Sequence, residues 1–219
     1  PWGWWLLAFP SAGLLYVRLA GLRLRTRLLV GWMAGVGCFG LGLFWARTFN
    51  WYGAVVLVLV ESFSFAFAAG LTSPTRGRIA TFVGANVLLE SLRMTWPFGG
   101  LPIGGVFLGQ AGGPFLDLAR IGGPLLLTAF VWAGGAVAGE VGPWLARQGV
   151  TRVRSTMRAR SAIPVSASPA RSAIPVSRRA SRPAWTSTCG ALGALIAVAS
   201  WAAVAPDGGP PVGRLTVAA

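Results

Sequence analysis

The sequence predicts an all-α membrane protein: a polytopic bundle of about six transmembrane helices with a disordered cytoplasmic linker rich in Arg, Ser and Pro. Of its 219 residues, 54% are hydrophobic and only 11% are charged, whereas about one quarter of a soluble domain is charged. Several apolar runs approach the ~20 residues that cross a bilayer. The 19 basic residues, all arginine, gather between those runs, as the positive-inside rule describes.

The apolar runs define the elements in chain order. Residues 1–145 form a bundle of about five helices, opened by Trp2, Trp4 and Trp5, which are typical of an interfacial aromatic belt. Gly31 and Gly35 predict a small-residue packing face on the second helix. A last transmembrane helix covers 184–205. The first five spans run approximately over Trp4–Ala20, Leu28–Ala46, Trp51–Leu71, Ile79–Met94 and Ile121–Val141.

Two segments lie outside the spans. Residues 146–183 carry nine arginines and repeat the sequence ARSAIPVS, and they can bury too little apolar surface to offset chain entropy, so we expect disorder. Residues 206–219 are expected to be an outward-facing tail. When loops are assigned alternately to two sides, fifteen arginines fall on one side and four on the other. The basic loops are therefore predicted to be cytoplasmic, and the tail and Glu90–Phe115 to face outward.

Composition excludes several classes of function. A net charge of +14 by itself suggests nucleic acid, but the arginines follow the topology, and no nucleic-acid partner is predicted. The chain has no His, and Cys38 and Cys189 lie in separate apolar runs. We expect neither a disulfide nor a metal site nor a cofactor. No nucleophile elbow or phosphate loop is present, so the residues alone define no complete active site.

The stretch Glu90–Phe115 holds the candidate site. Glu90 and Arg93 are spaced so that they share a helix face and can pair. The pair either orients a helix at the interface, or places Arg93 against an anionic lipid headgroup or a partner domain. Trp96–Ile103 then combines Pro, Gly and aromatic residues, which predicts a re-entrant or interfacial loop.

Glu61 lies near the middle of the third span. A charge there is costly, so Glu61 is expected to be protonated or paired inside the bundle, and Ser62 and Ser64 can share its hydrogen bonds. One interpretation is a neutral packing role. The other is a proton relay in a small transporter, although no second acid or His lies in the interior of a span.

Three motifs together carry a resemblance. They are E-x-x-R at 90–93, P-F-G-G-x-P at 97–102 and Q-x-x-G-P at 110–114. The chain resembles the membrane part of the apolipoprotein N-acyltransferases, and is most similar to the mycobacterial forms, where this domain can be fused to a polyprenol-phosphate mannosyl synthase. The opening P-x-G-W-W and the order of the spans agree with that family.

The resemblance implies a helical bundle that carries an outward-facing nitrilase-like domain with a Glu-Lys-Cys triad. In the family, the Cys takes an acyl chain from phospholipid as a thioester and passes it to the amino group of a diacylglyceryl-cysteine. This chain has no Lys, and both its cysteines lie within spans, so no catalytic residue is assigned. We expect a fragment that is inactive alone, with 206–219 beginning the nitrilase-like domain.

The implied partners are a phospholipid acyl donor and a diacylglyceryl lipoprotein acceptor, at a bacterial plasma membrane. One alternative is a non-catalytic membrane scaffold for a mannosyl synthase, and a less favoured one is the small transporter. The residues expected near lipid or substrate are Glu90, Arg93, Trp96, Phe98, Gly100, Pro102 and Gln110.

Overall fold

The fold is that of a computed structural model, which describes residues 4–75, 77–96, 100–160 and 185–204. This part of the chain is all-helical, as predicted, with six α-helices and no strand. Short 3-10 turns cover Trp4–Leu7, Phe44–Thr48 and Leu108–Gln110. The helices are α1 (Ala8–Arg18), α2 (Leu24–Gly42), α3 (Trp51–Leu71), α4 (Arg78–Arg93), α5 (Leu118–Arg160) and α6 (Trp185–Val204).

Two helices are long and apolar enough to cross a membrane. They are α3 and the Leu118–Gly142 part of α5, judged over the described residues. Helix α3 has the predicted bounds and is about 31 Å long at 1.5 Å per residue. Its N-cap is Asn50, whose Oδ1 accepts from the Gly53 N–H at 3.2 Å. The count of about six spans remains a prediction.

Glycines bring α2 and α3 into close contact. A Cβ atom added to Gly31 would lie 2.6 Å from the Cβ of Ala69, and one on Gly35 would lie 2.8 Å from the Cα of Ser62. Only a residue without a side chain allows the two backbones to approach so closely. The small-residue face predicted for the second helix is therefore confirmed.

Helices α1 and α5 are joined in the same way, which the sequence did not reveal. A Cβ on Gly13 would lie 2.7 Å from the carbonyl oxygen of Gly135, and one on Gly139 would lie 2.9 Å from that of Gly13. The bundle thus contains two tightly apposed helix pairs, α1 with α5 and α2 with α3.

A chain of aromatic rings fills the core between these pairs. Tyr16, Phe82, Trp132, Phe65 and Phe39 follow one another edge-to-face, with centroids 5.3 to 5.6 Å apart. They come from α1, α4, α5, α3 and α2 in turn. Edge-to-face contacts place ring edges against the negative ring faces, so the five rings connect five helices through one core.

The main departure from the expected elements lies in α5. It begins at Leu118 rather than Ile121, is interrupted by non-helical backbone at Gly122 and Gly123, and continues to Arg160. Residues 146–160 are therefore helical where a disordered linker was expected. That segment is rich in Arg and has no Pro, and Arg favours helix. The rest of that linker and the tail at 206–219 lie outside the described residues.

Candidate functional site: a buried ion cluster beside an apolar cavity

The backbone after α4 is irregular, as the sequence predicted. Helix α4 ends at Arg93, and the Leu101 N–H returns to donate to the Arg93 carbonyl oxygen at 2.8 Å. Gly100 has φ +104° and faces the Met94 carbonyl so closely that no side chain fits there. We call residues 100–117 the re-entry segment. Its described secondary structure is the 3-10 turn at Leu108–Gln110.

Arg93 is the centre of a buried ion cluster. Its Nη1 donates to Glu90 Oε2 at 2.7 Å, which confirms that the two residues pair across one turn of helix. Its Nε donates to Glu61 Oε2 at 2.5 Å, and each of the three side chains is no more than 8% exposed. Glu61 is thus paired inside the bundle, one of the two states expected for it.

The same guanidinium reaches two further elements. Its Nη2 donates to the Ile103 carbonyl oxygen at 2.8 Å, and its Cζ lies 4.6 Å from the centroid of the Phe39 ring. A planar group with five donors can serve several acceptors at once. Arg93 therefore ties α3, α4 and the re-entry segment together against α2.

The serines next to Glu61 do not share its carboxylate hydrogen bonds, contrary to expectation. The Ser62 hydroxyl donates to the Val58 carbonyl and the Ser64 hydroxyl to the Glu61 carbonyl, both at 2.6 Å. Serine in a helix commonly bonds a carbonyl three or four residues earlier. The partner of Glu61 is instead a residue 32 positions away, and sequence spacing carries no signal for that contact.

The other residues expected near lipid or substrate lie in different settings. Trp96 and Pro102 are exposed, and Phe98 lies outside the described residues. Gln110 is fully buried, and its Nε2 donates to the Trp5 carbonyl oxygen at 3.1 Å. The structure therefore gathers Glu90 and Arg93 with Glu61, while Gln110 fastens the re-entry segment to the start of the chain.

An apolar cavity of about 650 Å³ borders the re-entry segment. This volume is within the 300–1,000 Å³ range of small-molecule sites. The cavity lies between α1, α2, α5 and the segment Ile103–Gly109. Small residues in its walls leave the space open, and no sequence motif predicted the cavity. Its walls include Ala8, Ala12, Ala34, Cys38, Gly42, Phe65 and Trp132.

The ion cluster and the cavity share one wall. Ile103 lines the cavity while its carbonyl oxygen accepts from Arg93. Val106, Phe65 and Trp132 separate the cavity from a small pocket at Glu90, because all three line both spaces. A hydrogen bond thus links the cavity wall to the arginine of the buried ion cluster.

A second polar cluster lies near the C-terminal end of α1 and the N-terminal end of α4, at the end of α4 opposite to Arg93. The Tyr16 hydroxyl donates to Glu140 Oε1 at 2.5 Å, and Arg78 stacks on the Tyr16 ring, with its Cζ 3.8 Å from the centroid. Arg78 also donates to the Tyr16 carbonyl oxygen. Arg27 donates to the Ala69 carbonyl oxygen at 2.7 Å, near the C-terminal end of α3. Sequence reasoning missed this cluster, although Glu140 after an apolar run was a visible signal.

Within the described ranges, no group of three or more His, Cys, Asp or Glu side chains is placed to hold a metal ion. Cys38, on the cavity wall, is a free thiol. The cavity has apolar walls beside a buried ion cluster, so the site suits an apolar ligand.

The described residues form a helical bundle that contains two membrane-length helices and an apolar cavity. The family model described as the apolipoprotein N-acyltransferase N-terminal domain matches residues 1–137. The chain belongs to this family, as the sequence motifs indicated.

Known relatives agree with this membership. The apolipoprotein N-acyltransferases of Pseudomonas paraeruginosa (strain DSM 24068 / PA7) and Pseudomonas aeruginosa (strain LESB58) are each 30% identical over 151 residues. Each alignment covers 61% of this chain and 29% of the relative. The chain thus corresponds to less than a third of the length of these relatives. No solved structure gives a significant match.

Proposed function

We propose that the chain is the membrane domain of an apolipoprotein N-acyltransferase, in which an acyl chain occupies the apolar cavity during transfer from phospholipid to the diacylglyceryl-cysteine of a lipoprotein. The observation that carries the proposal is the 650 Å³ cavity walled by the re-entry segment. Family membership supplies the reaction class. The cavity supplies a place for the acyl chain that this class of reaction moves.

The chain is placed in the bacterial plasma membrane as a multi-pass protein. Large apolar side chains are exposed along the whole of α3, among them Val56, Leu59, Val60, Phe63 and Phe67. In water such a surface would be unfavourable, whereas in a bilayer it meets lipid tails. The arginine asymmetry supports cytoplasmic basic loops and an outward-facing re-entry segment.

Within this proposal, Arg93 and Glu90 are positioning residues. Through Ile103, Arg93 holds the cavity wall at a fixed distance from α3 and α4. The chain contains no Lys, so the Glu-Lys-Cys triad implied by the resemblance cannot be built from its residues. The chemistry is assigned to another part of the enzyme, and the bundle orients the acyl chain for it.

Photo-crosslinking tests the cavity. The chain is reconstituted with a phospholipid whose acyl chain carries a diazirine, irradiated, and digested to identify labelled peptides. Labels on the α1, α2 and 103–109 walls are expected, and Ala34→Trp is expected to reduce them several-fold by filling the space. The matched control is Val56→Trp on the exposed face of α3, which should leave the cavity labels unchanged. Equal labelling of the cavity walls in both variants would contradict the proposal.

A further inference from the structure

The charges of the buried ion cluster do not balance if both of its carboxyl groups are ionised. Glu61 and Glu90 share the single guanidinium of Arg93, and all three side chains are buried. One negative charge would then have no counter-charge inside the bundle. Because an uncompensated buried charge is very costly, such a site takes up a proton instead.

Hydrogen bonding indicates which carboxyl takes the proton. Glu90 Oε2 accepts from Arg93, but Oε1 is buried and has no hydrogen-bond partner within the described residues. Gly105 of the re-entry segment lies against this oxygen so closely that a Cβ there would collide with it. An ionised oxygen at that position would lack any donor, whereas a protonated one would carry its own O–H group.

A small pocket beside Glu90 has acceptors for that O–H group in its walls. Its walls include Glu90, Ser64 and Asn86, and its volume of about 10 Å³ is close to the minimum for one water molecule. The Ser64 hydroxyl and the Asn86 Nδ2 both donate to backbone carbonyls, at 2.6 and 2.8 Å. The Ser64 hydroxyl oxygen and the Asn86 amide oxygen therefore remain as acceptors for that O–H group through one water molecule.

We propose that Glu90 is a buried proton-binding site, which holds one proton on Oε1 at neutral pH while Glu61 remains ionised. The carboxylate takes up one proton from solvent, and Oε2 of the neutral acid still accepts from Arg93. The cluster then carries one positive and one negative charge and is neutral. This inference goes beyond acyl transfer and does not depend on it.

The surroundings of Glu90 fit this assignment. The charged groups that act on it are Arg93 on its own helix and Glu61 on α3. Helix α2 contributes the Cys38 thiol. At the small pocket, α5 contributes Trp132 and the re-entry segment Val106, neither of which titrates. Among the groups named here, Arg93 is therefore the one cation near Glu90 in the described chain, and Glu61 shares it.

Isotope-edited infrared spectroscopy tests the proposal on the full chain in lipid nanodiscs. Glutamate is labelled with ¹³C at the side-chain carboxyl, so that protonated glutamate and protonated aspartate absorb at separate frequencies. The wild-type chain is expected to show one labelled protonated carboxyl at neutral pH. In Glu90→Asp this band should be replaced by an unlabelled one, since the proton moves to an unlabelled side chain. In Glu61→Asp and in the control Glu140→Asp, the labelled band should remain.

Two results would overturn the assignment. Absence of any protonated glutamate band in the wild-type chain means that both carboxyls are ionised, and this measurement needs no variant to fold. Replacement of the labelled band in Glu61→Asp, rather than in Glu90→Asp, places the proton on the other carboxyl.

Discussion

Arg93 Nη2 donates to the carbonyl oxygen of Ile103 at 2.8 Å, and this bond joins the end of α4 to the wall of the apolar cavity. The nine residues between them include the Pro/Gly/aromatic motif of the sequence. One guanidinium therefore links the residues on either side of this motif, Arg93 and Ile103.

Replacing Arg93 by Ala should destabilise the chain strongly. It leaves Glu61 and Glu90 buried without their cation, and breaking a buried pair in this way costs about 3–5 kcal/mol. Denaturant unfolding in detergent micelles, followed by tryptophan fluorescence, measures the loss. Arg25→Ala, on the exposed surface of α2, is the control and should change stability by no more than about 0.5 kcal/mol. Equal effects of the two substitutions would contradict the role given to Arg93.

Gly35→Ala should lower stability, while Gly37→Ala on the same helix should not. The added Cβ at Gly35 meets the Ser62 backbone at 2.8 Å, whereas at Gly37 nothing lies within 4 Å. Overpacking typically costs about 1–3 kcal/mol, but Gly to Ala in an open helical position gains about 0.5–1 kcal/mol. The two variants should therefore shift the thermal unfolding midpoint in opposite directions. A shared direction would mean that α2 and α3 are not in contact along this face.

Tyr16→Phe should weaken the contact between α1 and α5. It removes the hydroxyl that donates to Glu140 at 2.5 Å, and a hydrogen bond to a charged group is worth about 1.5–3 kcal/mol. Glu140 is partly exposed, so a loss near the lower end is expected. A double-mutant cycle with Glu140→Ala measures the coupling free energy. A coupling indistinguishable from zero would show that the two side chains do not interact.

Cysteine labelling checks the proposed sidedness. In a background with Cys38→Ala and Cys189→Ala, Trp96→Cys should react with an impermeant maleimide on intact cells, because Trp96 is exposed just before the re-entry segment. Thr75→Cys, exposed in the turn between α3 and α4, should react only after the membrane is permeabilised. The reverse pattern, or equal reactivity, would reject the topology derived from the arginines.

Local pattern was enough to predict some contacts. The pairing of Glu90 with Arg93 follows from helical spacing, and the packing role of Gly31 and Gly35 follows from their recurrence every four residues. The bounds of α3 follow from hydropathy. Each of these features depends on residues within a few positions of one another.

The contacts that make the site depend on helix rotation and register. Glu61 lies in a helix that is apolar on every side, so its sequence does not show which face meets Arg93. Tyr16 and Glu140 are 124 positions apart, and no periodicity relates them. The cavity arises from small residues on α1, α2 and the re-entry segment, none of which forms a motif by itself. The composition of the arginine-rich end of α5 predicted disorder, although arginine itself favours the helix that is found there.

The glycine contacts described above make two rigid helix pairs. Backbone lies against backbone between α1 and α5, and again between α2 and α3, so neither pair can slide or rotate internally without steric collision. The apolar cavity lies between these two helix pairs. A ligand larger than the cavity must therefore separate the two helix pairs or displace the segment that Arg93 holds.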